Sequence, residues 1–520
     1  MRYRWLPLAL LLPACAGDDA ATASDTATTG TTATSTATTT ATATSDTTSG
    51  GETDSTATAT SESTTDATTT TATTSSTTDS STSDTGDTTT TGGVDGCGEL
   101  VTFEDGKTPD TIVHVATDGA DGPNCGPEAS PCATIEGAAA KAAPGVAIRV
   151  HPGTYAADQY LSDLAGTADA PIWIGGVPGE ARPVLSGGGE GLHLTRVRYL
   201  VLHDLEVDGA TSNGVNIDDG GDYGNPEATR HLVIRSLHIH DIGQGGNQDC
   251  LKLSGLDDYV ITDTELDHCG GGGSAIDHVG CHHGLLVGNF MHDNGGNAVQ
   301  SKGGSDDIEI RGNMIIDSGQ RALNMGGSTG FEFFRPPLDP NAPNFEARDI
   351  RAIANVIVGS DAAMAYVGCV DCLVANNTIV NPHNWIFRIL QETVSDPTYE
   401  FLPASDSAFI NNIVVFERGD LSTYVNIGGD TAPETFTFAT NLWYATDNPG
   451  QSSPAGDLPV PETGEIAGQD PLLADVPGLD LHLGGGSPAI GAGTPLEALS
   501  GDFDMKCYGD PPSLGAFEAP

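Results

Sequence analysis

The sequence has few basic residues and lacks an apolar run long enough to cross a membrane. Only 20 of its 520 residues are Lys or Arg, against 71 Asp or Glu, so the formal net charge is −51. A surface this acidic repels nucleic acid and anionic lipid surfaces, and neither is an expected partner. The apolar stretch near the start, residues 6–12, is too short for a transmembrane helix.

Basic and aromatic residues are both absent from residues 16–96, which consist almost wholly of Thr, Ser, Ala, Gly and Asp. Such a segment cannot bury enough apolar surface to offset the conformational entropy of the chain. We therefore interpret it as a disordered tether, which leaves residues 97–520 as the part that folds. A tether of this kind would hold the folded domain away from a surface.

Residues 1–15 have the layout of an export signal. Arg2 and Arg4 precede the apolar stretch, which ends in Leu12-Pro13-Ala14-Cys15. This ending resembles the lipobox of bacterial lipoproteins, and the resemblance implies that lipid on Cys15 anchors the protein at the cell outer membrane. An ordinary secretory signal is the alternative. Both predict an exported protein.

Ten cysteines in an exported chain indicate disulfides. If Cys15 carries lipid, nine cysteines remain and one of them is unpaired. Cys125 and Cys132 flank a short loop and are the first candidate pair. Cys369 and Cys372 form a single CxxC motif, which is weak evidence for a metal or redox site in the absence of a second such motif.

From about residue 200 the chain repeats a short apolar strand, a turn and a second short strand. Matching positions recur at intervals of 22 to 42 residues, and the shortest intervals suit a coil of three short strands with their turns. The longer intervals therefore carry loops, where functional residues concentrate. A propeller or a sandwich, the alternative architecture, would need hairpin turns between longer strands. Asparagines at one turn of six coils are predicted to stack and to bond neighbouring coils: Asn289, Asn313, Asn355, Asn377, Asn412 and Asn441.

The segments that flank the repeat resemble the ends of pectate-lyase-like proteins. An Ala-rich helix over residues 132–144, with Thr134 as its cap, is followed by a strand and by Pro152-Gly153-Thr154-Tyr155. This order resembles the N-terminal cap of that family, and Gly486-Ser-Pro-Ala-Ile-Gly-Ala-Gly493 resembles its closing segment.

The resemblance implies an all-β fold, a single-stranded right-handed parallel β-helix with an N-terminal capping helix. The implied boundaries are a cap at 130–155, coils over about 170–445 and a closing segment at 446–520. The motifs that carry the resemblance specify the fold better than the activity, because function depends on the site that a fold carries.

Strand alternation predicts one polar strip along the coil. The residues expected to point inward are Val215, Leu251, Ile276, Val299 and Leu323. The residues expected to point outward, and to contact a substrate, are Asn216, Lys252, Asp277, Gln300 and Asn324. Because neighbouring coils lie about 4.8 Å apart, these side chains should form a continuous row.

The segment around Lys302 resembles the surroundings of the catalytic lysine in the alginate lyase and chondroitinase B family. Gln300-Ser-Lys302 is followed by Asn313 and then by Ser318-Gly-Gln-Arg321. The resemblance implies a polysaccharide lyase in which Lys302 is the base that removes the proton beside a uronate carboxylate. Lys252 and Arg321 complete the predicted catalytic group, as cations that contact the substrate.

The same segment departs from the family pattern at two places. Asn324-Met-Gly326 stands where the family has Arg-His-Gly, and Gly295 and Asn297 stand where the family has its calcium-binding Glu residues. The family's calcium site is therefore not carried over. A divalent cation, such as calcium, is left as an open cofactor prediction.

A second group of residues has the side chains that bind divalent transition metals. The candidate ligands are His268, Asp277, His278, His282 and His283. Several of them lie at turns, where a histidine is commonly solvated or bonded to the backbone instead.

Two functions fit these observations. One is a surface-anchored carbohydrate-active protein that cleaves acidic, uronate-containing polysaccharide by β-elimination. The other is a non-catalytic cell-surface protein that binds glycans or has a structural role. Insertions at about 327–348 and 391–407 that wall a cleft over Lys302 would favour the enzyme, whereas a flat strip would favour the binding protein. The sequence leaves catalysis itself, the sugar, the metal and the oligomeric state open.

Overall fold

The computed structural model describes residues 92–95, 97, 99–243 and 245–520. The predicted export signal, Cys15 and all but a few residues of the predicted tether lie outside the described residues. No described helix has both the length and the apolar character that crossing a bilayer requires.

The chain coils through three long sheets and returns to each sheet about once per coil. Within a sheet, each strand pairs in parallel with the strand of the next coil: Leu251–Ser254 pairs with Ser274–Val279, which pairs with Asn297–Lys302. The predicted parallel β-helix is confirmed. Parallel pairing places residues that are some 25 positions apart in the sequence side by side on one face.

The strand bounds follow the three sheets. Sheet 1 contains Thr111–Val115, Val146–Val150, Ile172–Gly176, Arg198–His203, Thr229–Arg235, Leu256–Thr262, His282–Val287, Ser305–Arg311, Ala347–Ile353, Cys369–Val370, Leu373–Ala375, Ala408–Ile410 and Thr437–Ala439. Sheet 2 contains Thr154–Ala156, Val184–Ser186, Glu206–Asp208, His238–His240, Glu265–Asp267, Phe290–His292, Met314–Ile316, Val356–Val358, Thr378–Val380, Ile413–Phe416, Leu442–Ala445 and Ile466–Ala467. Sheet 3 contains Gln159–Ser162, Leu192–Thr195, Val215–Asp218, Leu251–Ser254, Ser274–Val279, Asn297–Lys302, Arg321–Gly326, Ala362–Val367, Trp385–Leu390 and Val425–Ile427.

The remaining elements are short. Two antiparallel pairs join Gly92–Asp95 to Glu99–Thr102 and Leu473–Asp475 to Asp480–Leu483. One α-helix spans Ile135–Ala139, and the 3-10 helices are Phe331–Phe333, Arg418–Asp420, Pro433–Thr435 and Pro449–Gln451.

The core is the inside of the coil, where apolar side chains from the three sheets stack upon those of the next coil. All five residues predicted to point inward from sheet 3 are buried: Val215, Leu251, Ile276, Val299 and Leu323. Burial of one side of every strand fixes the strand register, because a slip by one residue would turn the apolar side chains outward.

The predicted asparagine ladder is present at the turn between sheets 1 and 2. The side-chain carbonyl of Asn313 accepts hydrogen bonds from the backbone N–H and the side-chain N–H of Asn289, at 3.0 and 2.9 Å. The same pair of bonds recurs at every step to Asn441, which donates in turn to Glu462. These buried amides satisfy backbone groups that the turns would otherwise leave without partners.

The N-terminal capping helix is shorter than predicted. Thr134 caps it as expected, since its side chain accepts a hydrogen bond from Gly137 N at 2.8 Å, but the α-helix ends at Ala139 instead of near residue 144. Pro144 restricts the residue before it to extended backbone, and Gly145 follows with φ at +82°. These two residues leave room for only one helical turn followed by loose turns.

Chain segments at both ends pack along the outside of the coil. Phe103 packs against Trp173, Val201 and Val233 on the outer face of sheet 1, and the predicted closing segment places Phe517 on the outer face of sheet 2. The bonded cysteine pairs are Cys97–Cys507, Cys125–Cys132, Cys250–Cys269 and Cys369–Cys372. They include the first candidate pair, and among the described residues only Cys281 is free.

Candidate functional site

The outer face of sheet 3 carries the polar strip that alternation predicts. Strand register places its five members directly beside one another, in the order Asn216, Lys252, Asp277, Gln300 and Asn324. Lys302 lies two residues beyond Gln300 on the same strand, next to Val279 of the preceding coil. The structure therefore brings together residues that span more than 100 positions of the sequence.

A second row of polar residues, which the sequence analysis missed, runs beside the strip. Its members precede those of the strip by three positions: Asn213, Asp249, Ser274, Asn297 and Arg321. The two rows bond to each other, because Lys252 Nζ lies 3.3 Å from Asp249 Oδ2 and Arg321 donates to Asn324 Oδ1 at 2.8 Å. Strict alternation would have put residues three apart on opposite faces, but the two residues between them, such as Ala275 and Ile276, are both buried in the core.

The centre of the strip is a buried carboxylate between two lysines. Asp277 is only 2% exposed. Lys252 Nζ contacts its Oδ2 atom, and Lys302 Nζ lies 3.4 Å from its Oδ1 atom. The chain has five lysines in all, so two of them share this one carboxylate.

The ionisable groups at this centre shift one another's pKa values. Burial alone would raise the pKa of Asp277, but Lys252 and Lys302 outweigh it and hold that pKa below its usual range. Burial alone would lower the pKa of Lys252, but Asp277 and Asp249 outweigh it and raise that pKa. Lys252 is therefore a permanent cation and is suited to stabilising charge. Burial, together with Asp277, raises the pKa of Asp249 to about 6.

Two insertions form a wall at the end of the strip, beside Lys302. We call residues 327–346 and 391–404 the loop wall. Their aromatic rings pack together, with ring centroids 5.5 Å apart for Phe331 and Phe401, and the two backbones bond at Asn344 N–Glu400 O, 2.8 Å. The wall stands where the sequence analysis placed the insertions that would favour an enzyme.

Glu346 ties the loop wall to the strip. Its buried carboxylate accepts hydrogen bonds from Gly303 N and Thr329 N, both at 2.8 Å, and from the hydroxyl of Thr393. Gly303 follows Lys302 directly, and the carboxylate thus joins both insertions to the strand that carries the candidate base. A Cβ placed on Gly327 would lie 2.6 Å from Nε2 of Gln300, so the wall begins in contact with the strip.

Arg321 reaches across the strip to the loop wall. Its guanidinium donates to Asn324 Oδ1 and to Glu392 Oε1, at 2.8 and 2.9 Å. Together with Lys252 and Lys302, it places three cations within four coils of sheet 3. Two surface depressions, of about 250 and 360 Å³, lie elsewhere, beside Tyr199 and Glu104. The strip itself has the loop wall at one edge.

The five predicted metal ligands do not form one site. Asp277 points outward, whereas His278 points into the core, where its Nδ1 atom lies 3.1 Å from the carbonyl of Gln300 and burial lowers its pKa to about 4. His282 belongs to sheet 1 and contacts Asp257 at 2.8 Å. His283 is exposed beside that strand, and His268 contacts Asp267 at the edge of sheet 2. Candidate ligands that are close in the sequence lie apart in the structure. A strand points successive side chains to opposite faces, and a turn then leads the chain to another sheet.

No protein-family model matches the sequence, and no curated protein matches it. The chain is similar in structure to pectate lyase Pel9A, with 16% identity, a TM-score of 0.49 and coverage of 80% of this chain and 98% of that one. It is also similar to an alginate lyase from Paenibacillus sp. str. FPU-7, with 16% identity, a TM-score of 0.39 and coverage of 57% and 96%. A third similar structure is the A-module of the Azotobacter vinelandii mannuronan C-5 epimerase AlgE4, with 16% identity, a TM-score of 0.36 and coverage of 56% and 86%. What this chain does has to be inferred from its own site.

Proposed function

We propose that the polar strip binds an acidic polysaccharide and that the protein cleaves it by β-elimination, with Lys302 as the base. One observation carries the proposal: two of the five lysines flank one buried aspartate, Asp277, on a polar strip beside a loop wall. Elsewhere the acidic surface would repel a polyanion, so cations gathered at one place select where it binds.

The side chains of the strip suit a uronate chain. Lys252 and Arg321 offer positive charge to carboxylates, and the amides of Gln300 and Asn324 offer donors and acceptors to hydroxyl groups. A strip that crosses several coils suits a polymer because several sugar units can contact successive coils, which lie about 4.8 Å apart. We infer an extended glycan, not a small molecule, as the ligand.

In the proposed reaction, Lys302 acts as the free amine, and its Nζ atom takes the proton from the carbon beside the uronate carboxylate. The released electron pair forms a carbon–carbon double bond, and the glycosidic carbon–oxygen bond breaks. The leaving oxygen then takes up a proton. Negative charge develops on the carboxylate during the first step, and the fixed cations Lys252 and Arg321 stabilise it. Lys302 is assigned as the base because it contacts one carboxylate, whereas Lys252 contacts two.

The test uses the full chain with alginate, pectate and chondroitin, each with and without calcium, and follows the absorbance of the unsaturated product. We expect product from at least one polymer and a rate at least 100-fold lower in Lys302→Ala, the usual loss when a catalytic base is removed. Lys141→Ala is the matched control, since Lys141 is remote and bonds only to Gly122 O. Lack of product with every polymer, or equal rates in both variants, would refute the assignment.

A passive glycan-binding face is the second candidate. The observation that favours it is the pairing of Lys302 with Asp277, which keeps the lysine occupied in the absence of substrate. A binding protein would retain polymer on an affinity gel without forming product. The lyase proposal instead requires product formation that Lys302→Ala abolishes while polymer binding is retained.

We also propose that the protein is exported and anchored to the outer membrane through lipid on Cys15. Four disulfides within the folded domain support an oxidising compartment. Metabolic labelling with a fatty acid should mark the full chain but not Cys15→Ser. An unlabelled protein released to the medium would favour the ordinary secretory signal, and labelling that persists in Cys15→Ser would refute Cys15 as the lipidated residue.

A further inference from the structure

Sheet 2 carries a cluster of histidines and carboxylates on its outer face, away from the polar strip. We define the His238 cluster as His238, Glu265, Asp267 and His292. Register places His238 beside Glu265 on one line, and Asp267 beside His292 on the other. The cluster thus draws on three consecutive coils. From its geometry we infer a binding site for a divalent transition metal, with Zn²⁺ as the best match.

Potential ligand atoms of the cluster converge. His238 Nε2 lies 2.9 Å from Asp267 Oδ2, and His292 Nε2 lies 3.4 Å from Glu265 Oε1 and 3.9 Å from Asp267 Oδ2. One ligand atom each of His238, Glu265 and Asp267 lies within 4.8 Å of the other two. A tetrahedral zinc ion separates its N and O ligand atoms by about 3.3 Å. These atoms are therefore already spaced nearly as zinc requires.

The chemistry of the four ligands also favours zinc. Imidazole nitrogens and carboxylate oxygens are ordinary zinc ligands, and histidine is disfavoured by calcium and magnesium, which prefer oxygen. Two carboxylates supply a charge of −2 that a divalent cation balances. Asp267 is buried, whereas His238 and Glu265 are partly exposed, so an ion can enter from solvent.

Neighbouring side chains hold the ligands in place. Asp293 contacts Nδ1 of His292 at 2.8 Å, which leaves the Nε2 atom facing the cluster. His268 contacts Oδ1 of Asp267 at 2.5 Å, which leaves Oδ2 facing it. The Phe290 ring stacks on His292, with centroids 4.3 Å apart, and covers one side. Carboxylates that orient metal-bound histidines are a regular feature of zinc sites.

The inferred ion would act as a structural crosslink. It would join the strands His238–His240, Glu265–Asp267 and Phe290–His292, which belong to three consecutive coils. Because the cluster lies on sheet 2 and the proposed lyase site on sheet 3, this inference is independent of the proposed function.

The test measures metal binding by the full chain after dialysis against a chelator. Added Co²⁺ should give the visible absorption of a tetrahedral complex, and Zn²⁺ should displace it and raise the melting temperature. The double variant His238→Gln/His292→Gln should lose the absorption and the thermal shift. His383→Gln, which changes an exposed histidine elsewhere, should keep both.

Asp293→Asn provides a second test that removes none of the four ligands. It should lower the affinity for Zn²⁺ by 10-fold to 100-fold, the usual effect of losing a carboxylate that orients a metal-bound histidine. The inference is overturned if the wild-type chain binds less than one equivalent at micromolar metal. It is equally overturned if the double variant binds as the wild type does, since the metal would then lie elsewhere.

Discussion

Lys302 Nζ lies 3.4 Å from Oδ1 of Asp277, and the other oxygen of the same carboxylate contacts Lys252. One buried anion thus holds two cations of the candidate site in place. Without that anion, two lysines would face each other from the coils on either side of the Asp277 strand. This arrangement makes Asp277 the residue on which both the stability and the charge of the strip depend.

Asp277→Asn should lower the free energy of unfolding by about 3 kcal/mol or more at pH 7, because it leaves two lysines without their shared buried partner. Urea denaturation of the two proteins measures the difference. Asp430→Asn, which changes an exposed aspartate in a left-handed backbone conformation that Asn tolerates, is the control and should be nearly neutral. A loss below 1 kcal/mol in Asp277→Asn would contradict the prediction.

The same contacts set a pH dependence. Lys252 and Lys302 hold the pKa of Asp277 below its usual range, because their effect on this pKa outweighs the opposite effect of burial. The pairing stabilises the fold fully above the unfolded pKa of an aspartate, and that stability is lost as the pH falls through the lower, folded pKa. Wild type should therefore lose stability below about pH 4. In Asp277→Asn this component should be missing from the stability–pH curve.

His278→Gln should remove a different pH dependence. Burial lowers the pKa of His278 to about 4, so the unfolded chain takes up this proton first as the pH falls. The stability is full above pH 6.5 and declines by about 3 kcal/mol toward pH 4. Urea denaturation across this range should give a shallower decline in His278→Gln than in wild type. His283→Gln, at an exposed histidine, should decline as wild type does; a His278→Gln curve parallel to wild type would refute the prediction.

Asn377→Ala should destabilise the protein by about 3 kcal/mol. The Asn377 carbonyl accepts from the backbone and the side chain of Asn355, both at 2.9 Å, and the substitution leaves these buried donors unpaired. Each unpaired buried group costs about 1 to 3 kcal/mol. Chemical denaturation provides the measurement, with the exposed Asn341→Ala as control. Equal stability of the two variants would mean that the ladder contributes little.

Arg335→Ala should loosen the loop wall. Arg335 forms a two-pronged buried ion pair with Asp219, at 2.7 and 3.3 Å, and lies 4.0 Å above the ring of Tyr223. Hydrogen exchange in residues 327–346 should rise well above wild type. Arg335→Lys should not restore protection, because an ammonium group cannot make both bonds. Arg182→Ala, at an exposed arginine, serves as control; protection equal to this control would show that the wall holds without the ion pair.

The polar strip and the asparagine ladder could be predicted because a coil places each strand on its predecessor. Once the matching positions of the repeat are known, residues at the same position of consecutive coils can be predicted to lie side by side, as Lys252 and Asp277 do. The second row beside the strip could not be predicted this way, since two consecutive residues of each coil, such as Ala322 and Leu323, are both buried in the core and interrupt the alternation. The predicted metal site was wrong because closeness in the sequence did not mean closeness in space. His278 and His282 are four residues apart but belong to different sheets.

The sequence by itself determined the repeating coil, the residues that point inward and the polar strip that points outward, because short apolar strands at coil-length intervals can bury their side chains only by stacking. Only the tertiary structure decided which insertions contact each other. The insertions that carry Phe331 and Phe401 are an example. It also decided that His238 and His292, from coils that are not adjacent, face the same pair of carboxylates. Loop paths and side-chain directions at turns depend on packing between distant segments, and no local pattern in the sequence encodes them.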